Sequence, residues 1–569
     1  MDAPEATSER HDDPDHHRHG TLWSTIANTL CTMVGGGVLA IPLAFSKASI
    51  IPGLFFCVMS CLLSLLSVHM LIRCCDLTRQ YSFRALVVAA FPDISPRRIG
   101  VAIELLIVCS NGAALIVYTR IIADSLPPVF TTMIGHEGVW SSQVFWLLLV
   151  GAIFVVLSAV RRLNEMAIVA SLGLTAVVFA CIIVVIHFAD PSLRSYDVTV
   201  PNPDPNRTAS PSIARHQQQQ DVSWRSSGHL FFFLLESSSN ETTTTTTISN
   251  SGNHSSSSTT RVIRVVPPMI ATDVIWFHIS SGYLPGLSTI IGAFLYQMNV
   301  PPLYSELRQA TRGKMMRSGV VALTIALCLY SSVGLFGYLS FGDACIQSAQ
   351  SGGNVLNNYA GGDVLADVAK AVLVVHFLCA FPIYAAVARR SLHIAIFATE
   401  EASLPVRVIE GGSFGVVIVF LAKIVPGIGY VVAFSGAAFG TTVGITVPAL
   451  IHYRLGVLFL LHTAQQQKIP RHREAAIEES NEEIGGDEPI VGGINETASH
   501  HSHNHVEQTP PERNDRDVDN VTQLLSPRQS DQGSVSFTRA WIYGSLLLAV
   551  LGVLETVSSI TTTIIDVSR

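Results

Sequence analysis

The chain has 569 residues, of which 49% are hydrophobic and only 14% charged, with a net charge of −7. A soluble domain carries about a quarter charged residues, so this balance excludes an ordinary soluble enzyme, and nothing in it is basic enough for a nucleic-acid partner. The charge deficit is concentrated in long apolar runs, each near the ~20 residues that a helix needs to cross the hydrocarbon core.

Residues 1–20 form a polar, acidic tail without a basic stretch leading into an apolar core. No cleavable signal peptide is read there, and the first apolar segment is expected to act as its own insertion signal. Eleven spans are then predicted, at roughly 21–46, 50–73, 99–123, 143–160, 166–188, 287–305, 318–341, 364–387, 411–426, 430–453 and 538–562. Helices are expected because they satisfy their own backbone hydrogen bonds in lipid, and the short alternation of a transmembrane barrel is absent. The fold class is therefore an all-α polytopic membrane protein.

Loop charge gives the orientation. Arg73, Arg79, Arg84, Arg97 and Arg98 follow the second span, Arg161 and Arg162 the fourth, and Arg308, Arg312, Lys314 and Arg317 the sixth. Arg389 and Arg390 follow the eighth and Arg454 the tenth, whereas the loops at 124–142 and 342–363 hold no Lys or Arg. All agree on a cytoplasmic N-terminus. The loop at 189–286 then lies outside, and its sequons at Asn206, Asn240 and Asn253 are predicted glycosylation sites. Its Gln and Thr tracts cannot bury a core, so it is expected to be largely disordered. Asn495 and Asn520 also match the sequon, but they fall in the 455–536 loop, which this orientation makes cytoplasmic, disordered and unglycosylated.

That loop tethers the last span, at 537–569, to ten preceding ones. Ten divide into two fives, 21–188 and 287–454, and because five is odd the halves insert with opposite orientation, as in inverted-repeat carriers. The first span of each half carries a backbone breaker. Gly35, Gly36 and Gly37 stand in one, followed by Pro42; Pro301 and Pro302 stand in the other, just after Gln297 and Asn299. Three glycines weaken a helix by about 1 kcal/mol each, and a proline pair is expected to interrupt the ladder and hold Pro301 out of helical dihedrals. Close helix packing through glycine or a simple proline kink would explain either break alone. Paired breaks at matching positions point instead to a substrate site near mid-membrane.

The stretches VGGGVLAIPLAF (34–45), NGAALIVYTRIIADSLP (111–127), QMNVPPLYSEL (297–307), FPIYAAVARRSL (381–392) and SGAAFGTTVGITVPALIHYRL (435–455) resemble the amino acid/auxin permease family. The resemblance covers roughly residues 21–190 and 285–455. It implies a leucine-transporter-like fold and secondary active transport of amino acids, driven by sodium or protons. On that reading Gly35, Gly36 and Gly37 hold the substrate carboxylate through backbone N–H groups, and Gln297 and Asn299 meet its amino group or side chain. The resemblance to sodium-coupled neutral amino acid transporters places Cys31 and Val375 where those proteins offer an amide and a hydroxyl, and neither is a hard-cation ligand. Proton coupling is preferred, with Asn28 and His376 as the ion-coupling candidates. No cofactor or metal is expected, and lipid is the other partner that composition implies.

Further polar residues have simpler readings. Glu104 is expected to pair with Arg97 or Arg98, and Arg120 with Asp124 at helical i,i+4 spacing. Glu306 either closes an inner gate on a basic partner or begins a basic loop. The absence of a P-loop, an H-E-x-x-H helix and a G-x-S-x-G elbow leaves ATP-driven pumping and hydrolysis without a basis, so no enzyme activity is expected. Two alternatives remain open: a membrane nutrient sensor that binds an amino acid without moving it, and a carrier of other small amines or auxin-like acids. Both the plasma membrane and an acidic vacuolar or lysosomal membrane fit.

Overall fold

The computed structural model describes residues 20–136, 138–158, 167–190, 193, 196–201, 260–265, 270–279, 282–348, 351–359, 363–399, 402–464 and 538–568. The five sequons at Asn206, Asn240, Asn253, Asn495 and Asn520 lie outside these residues.

The first apolar run forms a broken helix. Helix α1 (Leu22–Met33) starts at Thr21, whose side chain accepts from the Ser24 N–H in a capping box. A 3-10 turn (Gly36–Ala40) follows, then α2 (Ile41–Ala48), and the two halves meet at 48°. Helix α3 (Ile50–Thr78) ends where Arg79 enters the left-handed region at φ 57°. The short α4 (Phe83–Ala90) leads to α5 (Pro96–Ile134), which is 39 residues long and overshoots its expected span at both ends. Next come α6 (Gln143–Ser158) and α7 (Ala167–Ala189).

Two strands, β1 (Tyr196–Pro201) and β2 (Thr260–Val265), pair antiparallel at the foot of the long loop, with Val198 opposite Ile263. They lie within the loop that is expected to be largely disordered. Alternating β-branched residues in YDVTVP and TRVIRV supply the local signal, which the Gln and Thr tracts between them obscured.

The second half opens with another broken helix: α8 (Tyr283–Ala293), a 3-10 turn (Gln297–Asn299) and α9 (Val300–Glu306). Helices α10 (Arg312–Ile346), α11 (Val364–Phe397) and α12 (Leu404–Ile424) follow, α10 being kinked at Gly342, φ 66°. Helix α13 (Ile428–Ala464) contains two π-wound turns, Gly436–Gly440 and Thr442–Thr446. The last helix is α14 (Arg539–Ser568).

Among the described residues seven helices are long and apolar enough to cross a membrane, eight if the bent α1–α2 pair is one span. Of the eleven expected spans, the other three correspond to the shorter α6 and α7 and to the interrupted α8–α9. The outward faces carry apolar side chains such as Leu148, Val416 and Leu554, as hydrocarbon requires. Inside, α5 lies along α11 and α11 along α7, while α10 packs on α2 and α3. Both breaks are thereby held at the centre of the bundle. Helix α14 is not a loose appendage, because it packs on α8 and on the π-wound part of α13.

Candidate functional site

Each break has its own local cause. In the first, Val34 (φ −84°, ψ 86°) and Gly35 (φ −123°, ψ −155°) leave the helical region, and the 3-10 turn starts at Gly36. The leading N–H groups of such a turn, here on Gly36 and Gly37, have no acceptor within it. A Cβ on Gly35 would stand 2.7 Å from the Tyr118 hydroxyl, and one on Gly36 would stand 2.8 Å from Ile121 Cδ1. Glycine is therefore needed at both for close approach to α5. Gly37 faces open space, with nothing within 4 Å of an added Cβ.

In the second break the chain leaves α8 at Phe294, and Tyr296 (φ −150°, ψ 6°) opens the next turn. The prolines do not make this break. Pro301 and Pro302 lie inside the first turn of α9, and Val300 before them is already helical at φ −62°, ψ −48°. The expectation that Pro301 would be forced out of the helix is thus corrected. A first-turn proline forfeits only an N–H that had no acceptor, and that placement outweighs the steric bias on the residue before it. Pro42 occupies the same position in α2.

A cavity of about 1010 Å³ lies between the breaks. Gly35, Gly36, Gly37 and Asn299 line it, with Tyr118 and Tyr384. It continues past Tyr81, Arg84, Arg97 and Arg390, residues on the side that loop charge assigns to the cytoplasm. The opposite side is packed. Ser46 Oγ donates to Asp343 Oδ1 at 2.6 Å and accepts from Gln347 Nε2 at 2.6 Å, joining α2 to the end of α10. His187 Nε2 meets Asp363 Oδ2 at 2.7 Å, joining α7 to the start of α11. Burial pushes the Asp363 carboxyl up, but the His187 and Ala366 N–H bonds outweigh it and hold the group below its usual range.

The predicted residues separate into two groups. The three glycines and Asn299 reach the cavity, whereas Gln297, Asn28 and His376 do not line it. Gln297 is 2% exposed and committed to the fold: its Nε2 donates to Ser64 Oγ at 2.7 Å and its Oε1 accepts from the Tyr296 N–H at 2.9 Å. The amide that looked expensive in lipid is satisfied by α3 and by its own backbone rather than by a ligand. Asn28 is half-buried in α1. His376 is buried against Gly173 of α7, and neither ring nitrogen has a hydrogen-bond partner among the described residues. Val375 is 58% exposed and turned to the outer surface, while Cys31 lies in α1 near Leu174.

Other pairings also differ from expectation. Glu104 meets Arg84 at 3.7 Å, not Arg97 or Arg98, because α4 folds back onto the start of α5. Arg120 and Asp124 pair at 2.9 Å as their spacing predicts. The Glu306 side chain forms no ion pair among the described residues, although its carbonyl accepts from the Gly20 N–H at 3.0 Å.

Three tyrosines went unnoticed in the sequence. Tyr118 stacks on Phe377 at 4.8 Å and meets Tyr384 edge-on at 5.4 Å, while the Tyr384 hydroxyl donates to Thr32 O at 3.3 Å. The Tyr330 hydroxyl of α10 lies 2.9 Å from both Met33 O and Ala293 O, the last helical carbonyls before the two breaks. One hydroxyl has one proton, so it serves one carbonyl at a time while touching both. Tyr118 and Tyr384 stand within stretches that carry the family resemblance, which was the available signal.

Comparison with known proteins agrees with this geometry. Residues 18–210 and 256–463 match the family model described as transmembrane amino acid transporter protein. The chain is 23% identical over 457 residues to the amino acid transporter AVT6E of Arabidopsis thaliana, covering 76% of each protein. It is 23% identical over 391 residues to vacuolar amino acid transporter 6 of Saccharomyces cerevisiae, covering 68% of each. With sodium-coupled neutral amino acid transporter 4 of Rattus norvegicus it shares 24% identity over 462 residues, 78% of this chain and 79% of the other. With two broken helices meeting at a central cavity and a family match on both sides of the long loop, this multi-pass membrane protein belongs to the transmembrane amino acid transporter family.

Proposed function

We propose that the chain is a secondary active transporter that moves neutral amino acids by alternating access, coupled to protons in preference to sodium. The observation that carries this reading is the cavity between the two breaks, lined by backbone from one and a polar side chain from the other. The N–H groups of Gly36 and Gly37, which have no acceptor within their turn, suit a carboxylate, which the positive end of a helix attracts. Asn299 offers both a donor and an acceptor for the substrate's other end. Tyr118 and Tyr384 wall the site and limit side-chain size.

The cavity reaches the arginine-bearing ends of α4, α5 and α11, which, with the orientation read from loop charge, supports a cytoplasm-open state of the cycle. The preference for protons rests on Cys31, which offers a thiol where a sodium-coupled relative would place a hard ligand. Either the plasma membrane or an acidic vacuolar or lysosomal membrane accommodates this mechanism. The test is uptake of a mixed amino-acid panel by proteoliposomes with proton and sodium gradients imposed separately. Accumulation under the proton gradient is expected; none under either gradient would refute transport, and binding without flux would favour a sensor.

A further inference from the structure

Glu555 stands deep within α14, roughly 24 Å along from Arg539 at 1.5 Å per residue. An ionisable side chain at that depth needs a partner or a function. Its carboxylate accepts from Ser288 Oγ of α8 at 2.8 Å, from Ser559 Oγ at 2.7 Å and from Thr441 Oγ1, which lies between the two π-wound turns of α13. No ion pair reaches it among the described residues. The titratable groups on the elements packed against α14 are Tyr283 on α8, Tyr430, His452, Tyr453, Arg454 and His462 on α13, and Cys57, Cys61, His69, Arg73, Cys74, Cys75 and Asp76 on α3. The contacts seen for His69, Arg73 and His452 are with Trp541 and Ser545, and Ser545 is about 15 Å along the helix from Glu555.

The hydroxyls around this carboxyl have a second acceptor. Ser288 Oγ is also 2.8 Å from Leu284 O, and Ser559 Oγ is 3.4 Å from it. With the carboxylate ionised, the hydroxyl protons point to Glu555. With a proton on it, they turn to Leu284 O and a hydroxyl oxygen accepts the new O–H. Both states are hydrogen-bonded, so the cluster exchanges a proton without stranding a polar group in the bilayer.

The same cluster adjoins the transport cavity. Ser288 lies one turn before Gly292 and Ala293, which line it, as does Ser435. Gly436 packs so closely on Ser288 O that no side chain fits there, and a Cβ on Gly440 would be 2.9 Å from the Gly292 Cα. A rearrangement at Glu555 is therefore felt directly by the outer half of the second broken helix. π-wound turns of this kind often mark functional positions.

We propose that Glu555 is the proton-binding site of this carrier, taking one proton from the outer compartment and releasing it to the cytoplasm in each cycle. This rests on the transport reading above. The last helix is then part of the coupling machinery.

The test uses proteoliposomes and a 14C-labelled mixture of amino acids. The wild type accumulates label under a pH gradient and also exchanges it by counterflow, which needs no gradient. Glu555→Gln keeps the size and mimics the hydrogen bonding of the protonated carboxyl, but carries no exchangeable charge. It is expected to lose gradient-driven accumulation at least tenfold while keeping counterflow within about twofold. Accumulation by E555Q at the wild-type level would overturn the proposal and leave transport standing, as would a wild type driven by sodium alone. A wild type that neither accumulates nor exchanges label would overturn the transport reading and this proposal with it. Should E555Q lose counterflow as well, Thr441→Val decides, because it removes one donor and no charge. The pH of half-maximal accumulation is then expected to move upward by about half a unit or more, and an unmoved profile would overturn the proposal.

Discussion

The two breaks do the same work with opposite materials. The first is made of missing side chains: Gly35 and Gly36 let the backbone lie against Tyr118 and Ile121, and Gly37 opens to the cavity. The second is made of large side chains, several of them used for anchoring. Tyr296 is buried, and Gln297 is tied to Ser64 on α3 and to its own neighbouring N–H. Leu295, Tyr296, Met298 and Asn299 line the cavity, and Asn299 alone among them brings an amide to it. One break thus presents bare backbone and the other presents a chosen side chain. On the proposed reading, the first break would grip the part common to all amino acids and the second would read the variable part.

That contrast can be broken at five positions. Gly36→Trp is expected to have the largest effect, abolishing uptake in proteoliposomes, because the indole meets Val117 and Ile121 and fills the space of the substrate carboxylate. Membrane insertion, followed by resistance to alkaline extraction, is expected to persist; retained uptake would remove the first break from the site. Gln297→Leu is expected to act on stability, lowering it by about 1–2 kcal/mol as Ser64 and the Tyr296 N–H lose a partner inside the bundle. Thermal unfolding in detergent measures this. A variant as stable as the wild type but with altered substrate preference would show that Gln297 contacts the substrate after all.

Asn299→Ala leaves the fold alone and removes a cavity group, so KM is expected to rise by about tenfold, equivalent to ~1.4 kcal/mol. Competition assays across the amino-acid panel should show the loss to be uneven among substrates, whereas a uniform change would assign Asn299 to the common part. The smallest effect is expected for Pro42→Ala and Pro301→Ala. Both sit in the first turn of a half-helix, and each should cost about 0.4–1 kcal/mol through the greater freedom of the unfolded chain. A loss of several kcal/mol at Pro301 alone would show that the proline makes the second break.

Much of the architecture was legible because lipid imposes simple rules. Apolar length marked the helices, and loop arginines gave an orientation into which the open side of the cavity fits. The glycine break was readable because three glycines weaken a helix, and its pairing with a second break set it apart from simple close packing. The proline break was located a few residues too late. Proline marks a discontinuity strongly, yet here it begins a helix rather than ending one, and the true turn at 294–299 has no glycine or proline of its own. Gln297 misled because polarity in a span signals both ligand contact and internal anchoring, and only the position of Ser64, 233 residues away in sequence, separates them. Tyr330 could not be found at all from a single sequence. Its role depends on two carbonyls, Met33 O and Ala293 O, that the fold brings to one hydroxyl. Glu555 was overlooked for a plainer reason, the treatment of the last span as an accessory.

The ribbon of β1 and β2 carries a consequence for how this protein can vary. Because Pro201 pairs with Thr260, everything from residue 202 to 259 leaves and returns at one stem. Closing a longer loop costs only a logarithmic increment of entropy. Lengthening the QQQQ or TTTTTT tract between the strands therefore adds little to the cost of closure. Inserting a few residues into either tract is expected to change thermal stability by less than about 0.6 kcal/mol, the cost of doubling a loop, and to leave uptake unchanged.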